Sequence, residues 1–284
     1  MKRLLALLIV FCAITAARAE DFGLWTDISL SQNLAVKGLS AEIGYDMRMN
    51  NNVKGVTRRS FNAGLNYSLT HYIKVGAAYA YIYSLSLGER EEKYKEDDDG
   101  TIDYEQWKGY NYTHSFWRNK HRFIGYLKGD IDIGRFNLSL RERYHHTIFQ
   151  HDRTTKDKYR YNTIYDEDDN ISYELKGGYP ESEDDNKRSK VKDYLRQKIE
   201  LTYNIPHCPI TPDISVEMEN NLQRTFHIEE MRYVAGFEWK IRKKYHVGLH
   251  YHYHKGVGDD DEGNLHAIEF SLKFKNPFWK AKKY

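Results

Sequence analysis

Tyr72–Leu87 reads YIKVGAAYAYIYSLSL. Its odd positions, Ile73, Val75, Ala77, Tyr79, Tyr81, Tyr83, Leu85 and Leu87, are apolar or aromatic. Its even positions, Lys74, Gly76, Ala78, Ala80, Ile82, Ser84 and Ser86, are mostly small or polar. A period of two puts alternate side chains on opposite faces, as in a β-strand. The run is much longer than the roughly 5–6 residues usual in soluble sheets. A tilted strand crossing a bilayer needs about 9–11 residues.

The same design recurs on both sides of this stretch. Alternating runs cover 22–32, 39–50, 61–69, 123–133, 136–144, 195–203, 214–222, 233–241, 245–253 and 266–274, which makes eleven with the first. The run at 123–133 is less regular, because Ile124 and Tyr126 fall in its polar row. Bacterial single-chain barrels have even strand numbers, so the pattern predicts an all-β, transmembrane antiparallel barrel of 10–12 strands. Ile171–Gly177 is a candidate for a further strand.

Alternation alone does not orient the faces, since a soluble lipocalin-like barrel alternates with its apolar face inside. Three features favour a membrane barrel. The runs are many and long. Their polar rows mix charge signs, as in Glu42, Asp46 and Arg48, which suits a hydrated, ion-paired lumen. Short turns near 36, 70, 134, 208 and 243 also alternate with longer connections, as periplasmic turns alternate with extracellular loops. The long connections carry Asp97–Asp99, Asp166–Asp169, Glu181–Asp185 and Asp259–Glu262, and are expected to form acidic extracellular loops.

The chain has 284 residues, 24 of them Tyr, with a mean hydropathy of -0.79 that excludes a helical membrane protein but not a barrel. Its formal charge is only +2, so no global field recruits nucleic acid. Lys2 and Arg3, the apolar run 4–14 and Ala17-Arg18-Ala19 form a signal-peptide pattern over residues 1–19. The barrel is then expected over 20–276, with a short basic-aromatic periplasmic tail at 277–284. Cys12 lies in the leader, so Cys208 has no intrachain disulfide partner in the mature protein.

The stretches FGLWTDISLSQNL (22–34), LSAEIGYDMRMN (39–50), FNAGLNYSL (61–69) and YIKVGAAYAYIY (72–83) resemble a family of uncharacterised outer-membrane β-barrels common in Bacteroidota. That family is known only as a domain of unknown function. The resemblance implies fold and an outer-membrane location, and it brings no catalytic residues.

Glu42, Asp46, Arg48, Lys74, Arg196, Glu238, Lys240, His250 and His252 are the candidate lumen-lining residues. His246, His250, His252 and His254 share one strand face and His266 starts the next strand, an arrangement that suits either transition-metal ligation or ordinary polar lining. The Asp/Glu runs offer oxygen ligands for divalent cations, although Asp97-Asp98-Asp99-Gly100 lacks full EF-hand spacing. No Ser/His or Asp/His pair is fixed by the pattern, so no catalytic residue and no cofactor is expected. The expected function is a narrow porin-like channel for small polar solutes. The alternatives are a structural or surface-interaction barrel with a plugged charged lumen and, third, an outer-membrane hydrolase. The expected partners are outer-membrane lipid, lipopolysaccharide and the barrel-assembly machinery, with divalent cations at the acidic loops.

Overall fold

A computed structural model describes residues 21–96, 102–165, 171–224, 226–242, 244–257 and 264–276. The proposed leader, the tail and the acidic runs at 97–99, 166–169 and 259–262 lie outside the described residues. Sixteen strands account for nearly all the rest. They are β1 (Asp21–Asn33), β2 (Leu39–Asn50), β3 (Gly55–Ser68), β4 (Ile73–Ser86), β5 (Glu89–Glu96), β6 (Ile102–Thr113), β7 (Phe116–Ile133) and β8 (Phe136–Phe149). Then follow β9 (Asp152–Tyr165), β10 (Ile171–Leu175), β11 (Glu181–Lys187), β12 (Lys190–Tyr203), β13 (Ile210–Asn221), β14 (His227–Ile241), β15 (Tyr245–Gly256) and β16 (Asn264–Lys275). Among the described residues no helix is long and apolar enough to cross a membrane, which says nothing of a β-barrel.

Eleven strands close a barrel in the order β1-β16-β15-β14-β13-β12-β8-β7-β4-β3-β2. Each contains one of the eleven alternating runs. The even count expected for an all-antiparallel closure does not hold, because β1 and β16 pair in parallel, from Asp21 opposite Leu265 to Ser31 opposite Lys275. A meander of antiparallel neighbours closes with an odd number only if one seam is parallel. The seam is also tied outside its ladder, where Asn276 N donates to Ser31 O at 2.7 Å and Asn33 N to Asn276 Oδ1 at 2.8 Å.

The chain divides into two compact units. Among the described residues, the first takes those up to Tyr83, Lys120–Ile148 and those from Val191 onward. The second takes Ser84–Asn119 and Phe149–Lys190. Its strands form a five-stranded sheet of order β10-β9-β6-β5, with β11 also paired to β9. Two corrections follow. Among the described residues, the long connections expected as loops, between the run ending at Leu87 and that starting at Phe123 and between those ending at Tyr144 and starting at Leu195, are largely strands. The candidate strand at Ile171–Gly177 exists as β10, but in this sheet and not in the barrel. The acidic run Glu181–Asp185 is likewise strand, because β9 faces it with lysines: Lys158 pairs with Glu183 at 2.5 Å. In β6 the ladder to β5 is interrupted next to Gly109, whose φ of +127° and closeness to the Tyr159 backbone exclude a Cβ.

In the barrel the two faces differ as the sequence rows do. Ile28, Phe61, Leu65, Leu140, Ile199, Ile214 and Phe270 are each at least 50 % exposed on the outer face. Ala80 and Ile82 on β4, at 2 % exposure, lie on the other face with Ser84. The described residues include five buried apolar side chains against nineteen buried polar or charged ones. That inverts a soluble core, so the interior is held by hydrogen bonds and ion pairs rather than by apolar packing.

Candidate functional site: the charged barrel interior

The inner face carries a layer of arginines from six strands. Arg232 on β14 meets Glu217 at 2.8 Å, Glu219 at 3.2 Å and Glu230 at 2.5 Å. Arg196 on β12 reaches Glu217 at 3.6 Å and also pairs with Glu219. Arg141 on β8 reaches the other oxygen of Glu217 at 3.2 Å. On β2 and β3, Arg48 and Arg58 share Asp46 at 2.9 and 3.6 Å. Arg122 on β7 donates to Thr147 Oγ1 at 2.9 Å. Arg143 completes the set, and its Nε is buried without a hydrogen-bond partner. Guanidinium forks suit this task because one side chain satisfies several carboxylate oxygens at once.

The layer is packed. Ser60 on β3, Ile82 on β4, His145 and Thr147 on β8, and Ala267 on β16 are each at most 2 % exposed. Trp25 on β1, 3 % exposed, donates from Nε1 to Asn50 Oδ1 at 2.8 Å. Arg48 lies 4.1 Å from its ring centroid, and the rings of His252 and His254 sit 4.8 and 5.0 Å away. These residues come from the strand halves at the barrel end that carries the turn 51–54 and the connection between β13 and β14.

The opposite half contains a cavity of about 520 Å³. It is lined by Asp132, Glu200, Asp213, Glu238 and Glu269, by Lys198 and Lys240, by His250 and His252, and by amides and hydroxyls. Val234 is the single aliphatic lining residue.

The chain matches, over residues 22–262, the family described as Protein of unknown function (DUF2490). It belongs to the DUF2490 family. No curated protein matches it.

In this DUF2490 barrel seven of the nine candidate lining residues fall into two groups, and Lys74 and Glu42 into neither. Glu238, Lys240, His250 and His252 line the cavity. Arg48, Asp46 and Arg196 belong to the arginine layer. Lys74 pairs with Asp130 at 3.4 Å, and Glu42 with Lys273 at 3.8 Å. The histidines do not converge. His246 meets Glu238 at 2.5 Å, His250 meets Asp213 at 3.2 Å, His252 meets Glu269 at 3.3 Å, and His254 pairs with Glu230. Each imidazole has its own carboxylate, and no group of three potential metal ligands occurs among the described residues. Arg122, Glu217 and Arg232 stand in the polar rows of the sequence, but neither they nor Arg58 and Arg143 are among the candidate lining residues. Their parity in the runs was the available signal; what it lacked was the strand order that brings them together.

The second unit has its own polar contacts. Asp157 accepts from Ser182 Oγ at 2.5 Å and meets His114 Nε2 at 2.7 Å. These hydrogen bonds, Ser182's first, hold its carboxyl below the ordinary range. Glu92 accepts from Trp107 Nε1 at 2.7 Å and pairs with Arg90 at 2.6 Å, which lowers its carboxyl in the same way.

Proposed function

We propose that this chain is an exported outer-membrane β-barrel whose lumen is closed by the arginine layer, and which works by binding rather than by passing solute. The observation that carries the closed lumen is the burial of Ser60, Ile82, His145 and Thr147, inner-face residues of three strands at 2 % exposure or less. Barrels of about eight strands are filled by side chains and those of 16–18 hold water channels; at eleven strands the bulk and pairing of the side chains decide. The membrane assignment is supported by barrel strands of 12 to 18 residues, by the signal-peptide pattern, and by outer rows such as Ile28, Phe61 and Ile214 that expose 50 to 58 % of their surface. Contiguous apolar surface on that scale marks a membrane or partner contact. On this reading the partners are outer-membrane lipid, lipopolysaccharide and the assembly machinery that inserts barrels, and the protein is not an enzyme.

The porin-like reading has one specific support, the polar cavity in the other half of the barrel. Planar-bilayer recording separates the two. The folded, purified protein is expected to insert without sustained single-channel steps. A steady ohmic conductance would replace the closed-lumen reading with the channel. Fractionation with the outer membrane, and a gel shift between unheated and heated samples, test the membrane assignment; recovery as a detergent-free periplasmic monomer would remove it.

A further inference from the structure

We infer that the cavity is a binding site for a small organic cation, of the class of primary diamines. This rests on the reading that the interior binds, and it names the ligand chemistry. The lining fixes the sign. Five carboxylates, Asp132, Glu200, Asp213, Glu238 and Glu269, face two ammonium groups, Lys198 and Lys240, so with neutral imidazoles the negative charges exceed the positive by three. Of the five, Glu200 has Lys198 at 2.5 Å. Asp213, Glu238 and Glu269 meet only imidazoles within ion-pair distance among the described residues. Asp132 accepts from the Asn137 amide at 2.8 Å. The walls therefore offer hydrogen-bond acceptors in excess and want a ligand that donates several N–H groups and brings positive charge.

Two further observations point to a ligand of that kind. His250 Nδ1 is a buried atom without a hydrogen-bond partner, on a side chain that lines the cavity and whose Nε2 faces Asp213. A neutral imidazole nitrogen is either donor or acceptor; with Nε2 donating to the carboxylate, Nδ1 is an acceptor and suits an ammonium N–H. The volume, about 520 Å³, falls within the roughly 300–1,000 Å³ typical of small-molecule sites. The lining has one aliphatic residue and no Phe, Tyr or Trp, which disfavours an apolar ligand. The arginine layer farther along the barrel repels a cation, so the site is a terminus for such a ligand and not a stage on a path.

The test uses the full-length mature protein, folded in detergent, and isothermal titration with 1,4-diaminobutane. The neutral diol of the same length and succinate serve as comparisons. Saturable diamine binding that weakens with added salt, with the diol and succinate at least tenfold weaker, is expected. The double variant Asp213→Asn/Glu269→Gln should lose at least tenfold in diamine affinity. Val234→Trp, which fills the cavity and leaves every charge in place, should abolish binding, and it keeps the test available should the double variant fail to fold. No saturable diamine binding to the wild type, equal binding of the diol, preference for succinate, or an affinity unmoved by Val234→Trp would each overturn the inference. A conducting barrel that binds diamine would overturn the closed-lumen reading alone; a silent barrel that does not bind it would overturn the ligand alone.

Discussion

The Tyr126 hydroxyl donates to Asn66 Oδ1, and the Tyr126 ring occupies the place a side chain at Gly76 would need. A Cβ built on Gly76 would lie 2.5 Å from Tyr126 Cζ and 2.7 Å from its hydroxyl. Three strands, β3, β4 and β7, are locked by this one contact. Gly76→Ala should destabilise the folded barrel by about 1–3 kcal/mol through overpacking. Tyr126→Leu should restore tolerance of alanine, giving a non-additive double-mutant cycle. The readout is the temperature at which the unheated gel band is lost; additive effects would show that the ring moves aside freely.

That contact also shows what was legible in the sequence. The eleven runs, their parity and the two faces could be read from period-two alternation alone, because a closed barrel imposes one rule on every strand. Tyr126 broke the rule as a large residue in a polar row, and the reason lay 50 positions away, in Gly76. The parallel seam was not legible, since nothing in FGLWTDISLSQNL states the direction of its second neighbour. The second sheet was missed for a different reason. Strands such as ESEDDNK in β11 are polar on both faces and carry no hydrophobic period; their pairing comes from β9 lysines across the ladder. The cavity residues Glu238 and His250 were predictable as inner-row positions, and the pairings that define the site were not.

Outer and inner rows should differ in their tolerance of charge. Leu249 lies on the outer row of β15 near the strand's centre, and His250 on the inner row lines the cavity beside Asp213 and Glu269. An arginine facing lipid near the midplane costs about 2–4 kcal/mol, whereas one at position 250 meets carboxylates. Leu249→Arg should reduce the folded, membrane-inserted fraction severely and His250→Arg slightly. Quantifying the heat-shifted band in outer-membrane preparations checks this, and equal tolerance would mean that the rows are assigned to the wrong faces.

The second unit should be acid-sensitive. The carboxyls of Asp157 and Glu92 sit below their ordinary values, Asp157 chiefly through Ser182 and Glu92 chiefly through Trp107. A carboxyl whose folded pKa is depressed contributes stability above its unfolded value, about 3.9 for Asp and 4.3 for Glu. That contribution is lost as pH falls from there through the folded value. Amide exchange in β9 and β11 should therefore accelerate below about pH 4 beyond its intrinsic pH dependence. Asp157→Asn should weaken protection at neutral pH and flatten the acid response. An acid response unchanged in Asp157→Asn and in Glu92→Gln would assign the sensitivity to other groups.

The orientation of the barrel can be read from a cysteine it already has. Cys208 is free and partly exposed in the turn between β12 and β13. By strand alternation that turn lies at the same end as the turns 34–38, 69–72 and 134–135 and the connection between β14 and β15. The other end carries the turn 51–54 and the connection between β13 and β14. Short turns face the periplasm in outer-membrane barrels. Cys208 should thus be silent to a membrane-impermeant maleimide on intact cells and react once the outer membrane is opened. In a Cys208→Ser background, Arg135→Cys should behave as Cys208 does. Lys54→Cys, in the exposed turn after β2, should label on intact cells. Labelling of Cys208 and Arg135→Cys on intact cells, with Lys54→Cys silent, would invert the barrel. The strand ends that line the cavity, at Asp132, Thr202 and Lys240, would then face the outside.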